Sequence, residues 1–231
     1  MTIISDNIQL VYTVRNAKRN KLGSKKAISV AEKLPYFTIE SLRSMEKDKN
    51  YLKIFLSRYS KKGKIIRLKR GLYVSKNFID EAQAKGTFSS YLEFLANIVY
   101  SPSYLSLEYI LYKYNILTEV PVNFTLITEN KTAKFTNKVG NFFYHKIKDS
   151  LFAGFKVFEK DGFFIYEATK AKALFDSLYL RKNLLMDKKA VEELRLSVEN
   201  LNKKDKGELE KYVELENSKK MKGIFNWLFE I

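Results

Sequence analysis

Cysteine is absent from the 231 residues, and histidine occurs once. The first absence excludes a disulfide scaffold, a thiolate metal site and a cysteine nucleophile, and it fits a reducing cytoplasm. The second excludes a recognisable zinc site, because one imidazole without thiolates cannot complete the ligand set. His145 reads instead as a strand histidine in an aromatic run. The nine glycines are scattered, with neither the dinucleotide-binding nor the P-loop spacing, so no phosphate-cradling loop of either type is expected. Long apolar runs are missing too. Ile3, Ile4, Ile8, Leu10 and Val11 are interrupted by Asp6, Asn7 and Gln9, so neither a signal peptide nor a membrane span is expected.

What is present is enough to fold. Hydrophobic residues make up 45% of the chain and aromatics 14%, which offsets the entropy of ordering it and excludes a disordered tail. The formal net charge is +16, and it is unevenly placed. Residues 1–76 hold 19 Lys/Arg against 5 Asp/Glu, a net of +14, while residues 77–231 carry +2. From Tyr51 to Lys76 there are nine basic residues and no acidic one. Solvated faces normally mix signs, whereas a single-sign field in a folded segment costs self-repulsion and points to a polyanion, nucleic acid before an anionic membrane.

Within this basic module, Ser24 is placed to cap a short helix with Ala27, Ile28, Ala31 and Leu34 on one face, ahead of Pro35. Thr38 is expected to open a second short helix with Leu42 as an apolar contact. Leu52, Phe55, Leu56 and Tyr59 then fall at i, i+3, i+4 and i+7, predicting a helix from about Asn50 to Lys62 that Gly63 stops. Its opposite face carries Lys53, Ser57, Arg58 and Lys61, suited to base edges and phosphates in a major groove. After Gly63 the period switches, and residues 64–74 read as two short strands turning at Lys69, Arg70 and Gly71. Three short helices and a basic hairpin describe a winged helix-turn-helix. The candidate DNA-binding residues are Lys53, Ser57, Arg58, Lys61, Lys62, Lys64, Arg67, Lys69 and Arg70.

The rest of the chain is expected to be a second domain over residues 88–231, after a first over 1–78 and a connection at 77–87. Ser89 or Ser90 is positioned to cap a helix with Leu92, Leu95, Ala96 and Val99, ended by Ser101, Pro102 and Ser103, and a second helix carries Leu107, Ile110, Leu111 and Tyr114. Strands are expected over residues 122–128 and 142–147, and Asp161 and Gly162 suit a two-residue hairpin turn. Further helices follow, on Ala171, Leu174, Phe175 and Leu178, on Val191, Leu194 and Val198, and on Leu209, Tyr212 and Val213, before an apolar end from Ile224 to Phe229. Helices, a cluster of antiparallel strands, then helices give an α+β class with a helical tail, not a doubly wound sheet.

No carboxylate pair has metal-nuclease spacing; Glu192 with Glu193 and Glu208 with Glu210 sit among lysines on charged helical segments. Asp176, among apolar neighbours, is expected to have a structural role as a cap, a partner of Arg181 or a contact residue. No catalytic, metal or cofactor site is expected.

Several segments carry a family resemblance: Phe37-Thr38-Ile39-Glu40-Ser41-Leu42, then Leu56-Ser57-Arg58-Tyr59 leading into Lys62-Gly63-Lys64-Ile65-Ile66-Arg67-Leu68-Lys69-Arg70-Gly71-Leu72-Tyr73-Val74. Further on come Ser103-Tyr104-Leu105-Ser106-Leu107-Glu108-Tyr109-Ile110-Leu111, Val120-Pro121 before the Thr125 to Thr128 strand, Phe143-Tyr144-His145-Lys146-Ile147, and Ala168-Thr169-Lys170-Ala171-Lys172-Ala173-Leu174-Phe175-Asp176. Over roughly residues 37–182 the chain resembles the AbiEi-type antitoxins of bacterial type IV toxin-antitoxin (abortive infection) systems. The resemblance implies a winged helix that represses its own operon at inverted repeats on double-stranded DNA. It also implies a C-terminal domain that counteracts an AbiEii-like nucleotidyltransferase toxin, with direct contact between the two left open.

Three functions are compatible with these features. The first is a non-enzymatic, cytoplasmic DNA-binding antitoxin and autorepressor in phage defence. It would be a monomer in solution that loads cooperatively on half-sites about one helical turn, roughly 34 Å, apart. The second is a nucleic-acid-processing enzyme with a basic substrate-delivery domain, and the third an interaction protein whose basic module meets an acidic protein surface.

Overall fold

The computed structural model describes residues 26–230, so Ser24 and residues 1–22 lie outside the described residues. The chain is of mixed α+β class and divides into two compact units, one up to Phe88 together with Asn137–Val139, the other from Ser89 onward.

The first unit begins with helical residues 26–31 (α1), whose Ala27 and Ala31 are buried as their spacing predicts. Strand β1 (Phe37–Thr38) and a 3-10 turn (Glu40–Leu42) follow. Thr38 therefore does not start an α-helix. Its hydroxyl accepts from the Ser41 N–H at 3.2 Å, closing a single tight turn before residues 43–48 break away. Helix α2 (Lys49–Lys61) is capped by Asp48, whose carboxylate accepts from the Asn50 and Tyr51 N–H groups. Leu52, Phe55 and Leu56 point into a cluster with Ala27, Ala31, Phe37, Leu42 and Ile65, and Tyr59 packs on Phe55 with ring centroids 4.3 Å apart. Each fully buried large apolar side chain contributes about 1.5–3 kcal/mol.

Strands β2 (Ile65–Lys69) and β3 (Leu72–Ser75) pair antiparallel, and β1 pairs with β3, giving the order β1-β3-β2. A register shift between Arg67 and Lys69 turns Leu68 into the interior while Arg67 stays exposed. Lys69 thus belongs to the strand, leaving Arg70 and Gly71 as the turn. Residues 77–87, expected as a connection, are mostly helix α3 (Lys76–Ala84). The Ser75 hydroxyl caps it by accepting from the Phe78 N–H, and Ile79 and Ala82 supply its buried stripe.

The second unit is built on a six-stranded sheet of order β6-β7-β5-β4-β9-β8. Its strands are β4 (Ser103–Leu105), β5 (Phe124–Thr128), β6 (Ala133–Thr136), β7 (Asn141–Lys146), β8 (Phe155–Lys160) and β9 (Phe163–Ala168). The sheet is mixed, since β5 and β7 run parallel, as do β4 and β9; the antiparallel cluster expected from the sequence is corrected accordingly. Two strands escaped the sequence pattern for physical reasons. β4 is three residues long, and β6, an edge strand with no fully buried residue, alternates over only four, so both are too short to stand out. The Asp161–Gly162 turn is where its residues placed it, with φ of +53° and +80° at the two positions.

Helix α4 (Phe88–Val99) contains Ser89 and Ser90 in its first turn instead of being capped by them. Ser90 donates to Asp161 Oδ2 at 2.5 Å, and Asn97 ties the helix to the sheet by donating to the carbonyls of Ser103 and Tyr166. Helix α5 (Leu107–Lys113) packs on α6 (Lys170–Arg181), which Thr169 caps, and α6 in turn packs on α8 (Lys203–Glu216). Helix α7 (Lys188–Glu192) is shorter than the spacing of Val191, Leu194 and Val198 implies. Arg195 takes a positive φ of 49°, the Ser197 N–H donates to the Ile116 carbonyl, and Val198 opens a 3-10 turn. Helix α9 (Lys219–Phe229) buries Met221 and Ile224 against α7 and α8. Among the described residues, no helix is long and apolar enough to cross a membrane.

Candidate nucleic-acid interface

The solvent face of α2 and the β2–β3 hairpin enclose a shallow groove of about 550 Å³ in the first unit. Lys53, Ser57 and Lys61 line it from the helix, and Arg67 and Arg70 from the hairpin. Leu56, Ile39 and Tyr73 contribute apolar walls. Five of the nine candidate residues therefore meet around one concavity, and no carboxylate lines it.

The other four do not line it. Arg58 and Lys62 are exposed on α2 and its C-terminal cap. Lys64 is held with its ammonium 5.8 Å from the centre of the Tyr59 ring, and Lys69 is half-buried at the end of β2. The Arg67 Nε donates to the Lys69 carbonyl at 3.3 Å across the strand irregularity, which steadies the guanidinium at the rim of the groove. Sequence reasoning missed Ser60, which lines the groove between Ser57 and Lys61. The signal was available, because Ser60 lies seven residues after Lys53 and three after Ser57, on the same stripe.

Three acidic groups among the described residues of the unit are engaged elsewhere. Asp48 faces the α2 N-terminus. Glu40 binds Lys49 and Arg43, each at 3.1 Å, and the hydrogen bonds from these two cations hold its carboxyl below the usual carboxylate range. Asp80 pairs with Lys76 on α3. These pairs are exposed, so they add little stability, but they leave the groove's positive field uncompensated.

In the second unit, Asp176 is fully buried on α6, and its partner is Lys172, not Arg181. The Lys172 Nζ sits 2.5 Å from Oδ1, while the Ser106 and Tyr104 hydroxyls donate to Oδ2 at 2.7 and 3.1 Å. Burial pushes the Asp176 carboxyl up and the Lys172 amine down, each restrained by the other. Arg181 pairs with Glu108 instead. A second network joins Lys113 to Glu167 Oε2 at 2.5 Å and Glu93 Oε1 at 3.3 Å, with Tyr109 and Tyr114 donating to the same carboxylates. His145 is half-buried on β7, and burial lowers its pKa. Among the described residues, no group of three or more His, Asp or Glu side chains is arranged to hold a metal ion.

No family model and no curated protein matches the chain.

Proposed function

We propose that the chain is a DNA-binding transcriptional regulator whose first unit is a winged helix-turn-helix. In this reading α1, the Glu40–Leu42 turn and α2 are its three helical elements, α2 is the recognition helix, and the β2–β3 hairpin is the wing. Lys53, Ser57, Arg58 and Lys61 face the major groove, and Lys64, Arg67, Lys69 and Arg70 hold phosphates or enter the minor groove. What supports the reading is the meeting of Lys53, Ser57, Lys61, Arg67 and Arg70 around one groove that no carboxylate lines.

The resemblance to AbiEi-type antitoxins extends the proposal. The regulator represses its own toxin-antitoxin operon at inverted repeats, and the second unit counteracts a nucleotidyltransferase-like toxin. It acts in the cytoplasm, without enzymatic activity of its own. The deciding experiment is a fluorescence-anisotropy titration on the DNA upstream of its own gene and on a scrambled duplex, at two salt concentrations. A preference of about a thousandfold is expected. Weak binding that is equal on both duplexes and abolished by salt would overturn the reading. For the antitoxin half, co-expression with the neighbouring toxin gene should restore growth, and continued arrest would remove it.

A further inference from the structure

The apolar end of the chain is not all spent on the core. Met221 and Ile224 are buried, but Trp227 and Phe229 stay half-buried and, with Val191, Leu196 and Val198, wall a cavity of about 440 Å³. It lies within the second unit, between α9, the first turn of α8 and the segment that follows α7. Its size is that of a small-molecule site, which begins at about 300 Å³.

Four charged side chains also line the cavity, and they are sorted by sign. Both carboxylates, Glu192 and Glu230, are paired with one cation outside the lining, Lys188, at 3.7 and 3.3 Å. Both cations, Arg195 and Lys206, form no ion pair among the described residues. The Lys206 ammonium stands 4.7 Å from the centre of the Phe229 ring, which keeps its charge beside the apolar wall. Arg195 sits in the left-handed region at φ +49°, in a segment anchored by the Ser197 N–H donating to the Ile116 carbonyl.

A packing gap between helices accounts for the apolar walls but not for the charges. Two uncompensated cations beside an apolar cavity, whose own carboxylates are neutralised, fit a ligand that is apolar at one end and negative at the other. A guanidinium takes a carboxylate through two parallel hydrogen bonds, and an ammonium adds a point charge. The rings of Trp227 and Phe229 suit an aromatic group at the apolar end. We propose that this cavity binds an arylalkyl carboxylate, with Arg195 and Lys206 holding the carboxylate and the ring lying against Trp227. The site is independent of the DNA-binding reading.

Trp227 is the only tryptophan in the chain, so its emission reports on this cavity. The full-length chain is titrated with phenylbutyrate, phenylbutanol and phenylbutylamine, which share one hydrocarbon skeleton and differ in head group. Phenylbutyrate should change the emission saturably, raise the melting temperature and bind about tenfold tighter than the alcohol, the worth of two exposed ion pairs together. The amine should bind most weakly. In Arg195→Gln/Lys206→Gln the acid should lose its advantage and bind as the alcohol does, while the alcohol's affinity stays at the wild-type value. Both side chains are exposed, so circular dichroism and melting without ligand should match the wild type. Should Arg195→Gln disturb its turn, Lys206→Gln alone, inside α8, should cut the preference by about threefold.

Equal binding of the three probes by the wild type would reduce the cavity to an apolar gap and overturn the proposal. A preference for the acid that survives the double variant would overturn the assignment of Arg195 and Lys206. No saturable change in emission and no rise in melting temperature with phenylbutyrate would remove the site altogether.

Discussion

Lys172 and Asp176 lie one turn apart on α6 with both side chains fully buried, the ammonium nitrogen 2.5 Å from the carboxylate oxygen. The rings of Phe175, Tyr212 and Tyr104 surround the ammonium, with centroids at 4.9, 5.3 and 5.8 Å. Neither charge meets water, so removing one strands the other. Asp176→Ala should destabilise the second unit by about 3–5 kcal/mol, whereas Lys172→Met/Asp176→Leu should come close to wild-type stability. Urea unfolding followed by tryptophan fluorescence reads both. A single variant as stable as the wild type would contradict the isolation of the pair.

The two halves of the proposed DNA contact should separate by their effect on sequence preference. Arg58→Ala on α2 should cost about 1–3 kcal/mol on a selected duplex and relax its preference, because a groove-facing arginine meets base edges. Lys69→Ala should weaken all duplexes alike and lower the salt slope by about one unit. Equal, sequence-independent losses from both substitutions would sink the groove assignment.

Gly154 and Gly207 should respond oppositely to alanine. Gly154 has φ +76°, and a Cβ there would run into the Tyr212 hydroxyl beside Lys172. Gly154→Ala should therefore cost more than about 1 kcal/mol. Gly207 lies inside α8 with open space around it, so Gly207→Ala should stabilise by about 0.5–1 kcal/mol. Melting curves of the two variants displaced in the same direction would contradict the backbone argument.

His145 should make stability depend on pH near neutrality. Burial lowers its pKa below the ordinary 6.5; Arg181 pushes the same way and Glu108 opposes. The unfolded chain therefore takes up a proton before the folded one does. Stability from this group is intact above 6.5 and is lost as the pH falls below it. Between about pH 7.5 and 5.5 the wild type should lose more thermal stability than His145→Gln. Parallel losses in the two proteins would exclude His145 as the source.

Much of the first unit was legible in the sequence. The Leu52, Phe55, Leu56 and Tyr59 stripe placed α2 to within a residue at each end, because helical periodicity is set by neighbours three and four positions apart. Residues 77–87 were misread because the cap at Ser75 precedes the segment and its apolar stripe is only Ile79 and Ala82. In the second unit, helix α7 ended early because a hydrogen bond to Ile116, far away in the chain, captured Ser197.

By itself the sequence determined the quantities that depend on near neighbours or simple counts. These are the α+β composition, the positive charge concentrated before residue 77, the stripe of α2 and the Asp161–Gly162 turn. Tertiary structure alone decided which distant residues meet. It put Lys53 and Lys61 across a groove from Arg67 and Arg70, gave Asp176 the hydroxyls of Tyr104 and Ser106, and set Lys134 on the edge strand of a sheet. Strand order and buried pairing are settled by packing over long chain separations, where a residue's partner is whichever group the fold delivers, and local spacing carries no record of it.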